Sequence, residues 1–173
     1  MQTLWPRAKH AAAILVLAFL AEAAFAQVGA IELTGDVLQV LRLDRAALLA
    51  EPEPHWAQAR VTREIDGKEQ STTVRGVRLK VLLERAGLAE RDRFDWRKAV
   101  VIASARDGYR VVFSWPELFN TTAGGQVLVL TERDGAPLGD NEGPLALLAA
   151  GDVRTGPRHV RALDRIEVRL LRD

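Results

Sequence analysis

Three Asp-Gly pairs, at residues 66–67, 107–108 and 134–135, each fall between two runs with strand character. Asp-Gly favours the centre of a tight hairpin, because such turns need positive φ, where most side chains clash. Each pair therefore reverses the chain and sets its flanking strands antiparallel. The runs are ARVTREI (59–65) with EQSTTV (69–74), AVVIASA (99–105) with YRVVF (109–113), and QVLVLTE (126–132) followed by PLALLAA (144–150). VGAIEL (28–33) and VLQVLRL (37–43), parted by Thr34-Gly35-Asp36, read as two further strands, and IEVRLL (166–171) as the closing one.

Helices are few and short. Asp44 stands where an N-cap belongs, before RAALLAE, which Pro52 and Pro54 end. In GVRLKVLLERAGL, Leu79, Leu82, Leu83 and Ala86 recur at helical spacing, with Gly87 placed as a C-cap. Ser114 caps a short helix through Leu118. Several strands in hairpins with few short helices predict one mixed domain of the α+β class.

That domain begins after a targeting segment. Arg7 and Lys9 precede the apolar run AAAILVLAFLA, and Ala24-Phe25-Ala26 offers small residues at the two positions a signal peptidase reads. The reading is a secretory signal peptide over residues 1–26, cleaved before Gln27, and a domain over residues 27–173. The apolar run ends at Ala21, well short of the roughly 20 residues that span a bilayer. No transmembrane segment is expected once the signal is removed. Arg7 and Lys9 are not adjacent arginines, so the signal is of the general secretory kind, which threads an unfolded chain. The expected location is periplasmic or secreted.

Without Arg7, Lys9 and Glu22, the 24 basic and 23 acidic residues fall to equal numbers. A neutral total argues against a nucleic-acid partner or a general affinity for anionic membranes. The chain has no cysteine, so neither disulfides nor thiolate chemistry is open to it. Beyond His10 the histidines are His55 and His159, and no Gly-x-Ser-x-Gly is present, which argues against nucleophilic hydrolysis. Asp134, Asp140 and Glu142 lack calcium-loop spacing and read as turn residues. No catalytic residue and no metal ligand is assigned.

One segment stands apart. GDVRTGPRHVR (151–161) gathers Arg154, Arg158, His159 and Arg161 around a Gly-Pro break. Guanidinium groups offer planar, multiple donors that suit phosphate, sulfate or carboxylate, and backbone amides at such a break can turn toward an anion. Two readings fit these residues. Either they hold an anion, or they form a solvated turn whose arginines pair with Asp152 and Asp164.

The order of the pieces adds a resemblance. Gly76 to Leu79, Asp107 to Tyr109, Asp134 to Leu138, Gly143 to Leu145, Gly151 to Arg158 and Ile166 to Val168 together resemble the molybdopterin-binding oxidoreductase domain of the sulfite oxidase type. The resemblance implies that fold, with Arg154 and Arg158 in the stretch that contacts the pterin phosphate and His159 beside them. Catalytic members of that family bind molybdenum through a cysteine thiolate. Here the corresponding segment is the polar hairpin around Asp66-Gly67, and Ser71 to Thr73 supply no soft ligand. The family's enzymes also receive their cofactor before export as folded proteins, which a general secretory signal does not serve. The expectation is an exported, non-catalytic domain without a cofactor, holding a small anion or a periplasmic protein partner through Arg154, Arg158, His159 and Arg161. The alternative is a molybdopterin-dependent periplasmic oxidoreductase with a metal ligand other than cysteine.

Overall fold

The computed structural model of the chain describes residues 29–172, so the signal segment read at residues 1–26 lies outside the described residues. The first strands are β1 (Ile31–Gly35) and β2 (Leu41–Leu43), followed by helix α1 (Arg45–Leu49). Asp44 caps α1, its Oδ1 accepting from the Ala47 amide at 2.7 Å. Next come the long hairpin β3 (Trp56–Ile65) and β4 (Lys68–Arg78) and helix α2 (Leu79–Ala86). The second hairpin is β5 (Ala99–Ala105) with β6 (Arg110–Ser114), followed by helix α3 (Trp115–Asn120). The rest is β7 (Val127–Arg133), β8 (Ala136–Pro137), β9 (Ala146–Ala149), β10 (His159–Val160) and β11 (Leu163–Leu170).

These strands form two sheets. One has the order β2-β1-β11-β5-β6, with β1 and β11 parallel and every other pair antiparallel. The other has the order β10-β9-β7-β4-β3, antiparallel throughout, with β8 added to β7. The architecture is a single mixed α+β domain, mostly strands with a few short helices. Among the described residues no helix is long and apolar enough to cross a membrane.

The main core joins the two sheets. Leu33, Val101, Phe113 and Ile166 of the first pack with Val77, Val129 and Leu147 of the second, over the buried face of α2. That face is Leu79, Leu82, Leu83 and Ala86, and Gly87 ends the helix at a φ of +66°. The opposite parity of the second sheet builds another cluster: Val61, Val74, Leu128, Leu130, Ala146 and Leu148. Strand β7 is therefore buried on both faces, which accounts for its unbroken apolar run.

All three Asp-Gly turns form. Asp66 and Asp134 take φ values of +52° and +50°, followed by positive φ at Gly67 and Gly135, while the 107–108 turn uses Gly108 at +90°. The third turn closes differently from expectation. Asp134-Gly135 returns the chain only through β8, and the run read at 144–150 reaches β7 after a loop, as β9. The strand expected over 37–43 also shrinks, to Leu41–Leu43. The amides of Leu38 and Gln39 instead donate to the carbonyls of Gly87 and Ala86, which draws this stretch onto the end of α2 and off the sheet.

Candidate functional site

On β3 and β4, antiparallel pairing sets residues directly opposite one another on the same face: Ala59 with Val74, Val61 with Thr72, and Arg63 with Gln70. The face is apolar where it continues the second cluster and turns polar at Thr72, Arg63 and Gln70. A cavity of about 300 Å3 opens there, closed on its other side by the 139–142 loop and by His159 and Arg161.

Glu142 organises its floor. The side chain is buried, and Arg133 grips it with two parallel bonds, Nε to Oε2 and Nη2 to Oε1, both 2.7 Å. Arg133 Nη1 also donates to Thr72 Oγ1 at 2.7 Å, tying the hairpin to β7. His159 Nε2 lies 2.8 Å from Glu142 Oε1, though without the alignment of a full hydrogen bond. Burial by itself would raise the Glu142 pKa, but the His159 and Arg133 contacts outweigh it and hold the carboxyl at about 2. The same bond from Glu142 raises the Arg133 pKa.

Arg63 completes the group. Its Nη2 lies 3.1 Å from His159 Nδ1, and a guanidinium can only donate, so Nδ1 accepts and the ring proton belongs on Nε2, facing Glu142. The Arg63 Nε is buried with no partner. Burial lowers the Arg63 pKa, and repulsion from Arg133 and Arg161 adds to it. Glu142 is the one carboxylate on the cavity wall and Arg133 takes it. Arg63 and Arg161 have no carboxylate within ion-pair reach among the described residues. The cavity thus carries a positive surplus over a floor that is already neutralised.

The basic segment read from the sequence divides across the fold. His159 and Arg161 line the cavity. Arg158 does not. Its Nε and Nη2 hold both oxygens of Asp152, its Nη1 donates to Glu117 Oε1 at 2.6 Å, and its guanidinium stacks on Phe113 at 4.6 Å. Those carboxylates raise its pKa, Asp152 first. Glu117 also forms the capping box of α3 with Ser114, so Arg158 ties the segment to a helix start. Arg154 is exposed at a loop tip beside the fully exposed Val153, with no ionic partner among the described residues. The pairing with Asp152 considered for this segment is present at Arg158; the Gly-Pro break itself forms a short 3-10 turn, Gly156–Arg158.

Sequence reasoning did not single out Arg63, Arg133 or Glu142. Arg63 had a signal: in the β3 series Ala57, Ala59, Val61, Arg63 it stands on the inward parity. Glu142, read as a turn residue, does lie in a loop, but its side chain points into the protein.

Ala162, next to Arg161, adopts a φ of +46°. Its amide donates to the Glu142 carbonyl at 2.7 Å, and its own carbonyl accepts from Arg106 at 3.2 Å. The left-handed conformation costs a residue with a Cβ about 1–2 kcal/mol, and it is kept here because these bonds fix the chain that presents Arg161. Glycine removes that cost but gains freedom in the unfolded chain. We expect Ala162→Gly to raise stability by about 0.5 kcal/mol in urea titration; a loss above about 1 kcal/mol would show that the strain reading is wrong.

No family model matches the chain, and no curated protein matches it. Among solved structures it is similar to the sulfane dehydrogenase SoxCD from Paracoccus pantotrophus. The identity is 18% and the TM-score 0.62, over 81% of this chain and 38% of that one. The chain thus spans well under half the length of that protein. At this identity the likeness is one of fold, and it supports a fold related to that of the sulfite oxidase type.

Proposed function

We propose that the domain is a non-catalytic binding module that holds a small anion in the cavity between the β3–β4 hairpin and the segment His159 to Arg161. The observation that carries this reading is the pair Arg63 and Arg161, cationic and without carboxylate partners, beside an Arg133–Glu142–His159 network in which Glu142 and His159 are buried. Arg63 is half-buried and its partner is the neutral His159 ring, so its charge is left for a ligand or water to compensate. The location in the reading is outside the cytoplasm, which rests on the signal segment alone.

The molybdenum cofactor implied by the sequence resemblance does not fit these residues. The chain offers no thiolate. Of the hydroxyls over Ser71 to Thr73, Ser71 pairs with Thr62 at 2.8 Å and Thr72 accepts from Arg133. The reading therefore assigns no cofactor, and stoichiometric molybdenum in protein purified from a molybdenum-replete host would overturn it.

The functional test is a thermal-shift titration with sulfate and phosphate against sodium chloride of equal ionic strength. We expect sulfate or phosphate to raise the melting temperature, since ligand at a hundred times its dissociation constant adds about 2.7 kcal/mol. Arg63→Gln with Arg161→Gln should abolish the rise. Arg158→Ala should lower the starting stability by leaving Asp152 and Glu117 unpaired, yet keep the anion response. A response lost in Arg158→Ala and kept in the double variant would place the anion elsewhere.

A further inference from the structure

The size of the cavity and the charges that line it constrain the ligand beyond its sign. Counting the charges on the wall, Arg63, Arg133 and Arg161 face Glu142 alone, a surplus of two positive charges. The two surplus cations come from different elements: Arg63 from β3, and Arg161 from the turn that joins β10 to β11. The space is also large for a bare oxyanion. A water molecule occupies roughly 30 Å3 of liquid, and pockets for small organic molecules begin at about 300 Å3, the size of this one. Uncharged polar side chains, Gln70 and Asn141, also line the cavity.

We propose that the ligand class is a small organic dianion with two separate anionic ends, of which a short dicarboxylate is the representative; this assignment rests on the anion-binding function proposed for the cavity. One carboxylate meets Arg63 on the cavity wall and the other meets Arg161, which is exposed. Carboxylate suits this arrangement because its two oxygens match the fork of a guanidinium. The amides of Gln70 and Asn141 accompany the uncharged middle.

The test is calorimetric titration of the full domain with succinate, propionate and sulfate at constant ionic strength. Succinate should bind at least about tenfold more tightly than propionate or sulfate, the worth of one additional charge-assisted contact. Arg161→Gln, which replaces an exposed and unpaired side chain, should lower succinate affinity about tenfold and leave propionate nearly unchanged. Arg63→Gln should weaken both. If sulfate equals or exceeds succinate and still requires Arg63 and Arg161, the two-ended ligand is wrong and the anion-binding reading stands. If none of the three binds, both fall. Arg161→Gln keeps the test decisive even where Arg63→Gln fails to fold.

Discussion

Glu142→Gln is expected to cost about 3–5 kcal/mol, the range for removing one member of a buried ion pair. The substitution keeps the side-chain volume, removes the charge and turns one acceptor oxygen into a donor, so the loss reports charge and hydrogen bonding and not a cavity. Three guanidiniums would then face one another with no carboxylate between them, and Arg133 would lose one of the two acceptors of its paired bonds. Against a typical domain stability of about 5–15 kcal/mol, this is a large share. The acid limb of stability gives a second readout. The folded carboxyl titrates at about 2, below the roughly 4.3 of an unfolded glutamate. Its contribution is therefore complete above the unfolded value and fades as pH falls toward about 2. Urea titrations at a series of pH values should show wild-type stability falling between about pH 5 and 2, and a flatter profile in Glu142→Gln. A variant that loses under about 1 kcal/mol with an unchanged acid limb would contradict the role given to Glu142 in the cavity floor.

Gly76→Ala is expected to cost about 3 kcal/mol or more, by a different mechanism. A Cβ at Gly76 would stand 2.3 Å from the Val129 carbonyl oxygen and 2.9 Å from the Leu130 Cα. Both are backbone atoms of β7, so no side chain can swing aside. Gly76 sits where the β4–β7 register shifts, between Arg75 and Gly76, and the same two strands carry Thr72 and Arg133. Pushing the strands apart therefore disturbs the ladder and the cavity wall together. Denaturant titration and the anion response should fall in the same variant. Normal stability in Gly76→Ala would show that the strands can separate without penalty.

The local part of this fold was legible because its signals are local. Asp-Gly turns need only two residues in a particular conformation, and α2 shows its buried face at helical spacing over eight residues. The Asp44 and Ser114 caps lie within three residues of the amides they serve. Pairings between distant residues carried no such mark. The parallel contact of β1 with β11 sets Leu33 beside Ile166, and it follows from shared burial in the core. The stretch around Leu38 has strand character, yet the carbonyls at the end of α2 took its amides.

The site divides along the same line. A cluster of basic residues in one segment was visible, and it contained His159 and Arg161. Nothing in that segment told which side chains would turn inward, so Arg158, bound to Asp152 and Glu117, looked the same as Arg161. Arg63 lies 96 positions from His159 along the chain. Only strand parity hinted that it faces the interior.

The most direct test of the cavity is the Arg63 Nε–H itself, followed by NMR in protein with 15N-labelled arginine during a phosphate titration. Assignment comes from Arg63→Gln, which removes one signal. Anion binding in the cavity predicts that the Arg63 signal moves saturably, and that the Arg158 signal, already bound to Asp152, stays in place. A titration in which Arg154 or Arg158 responds and Arg63 does not would contradict it.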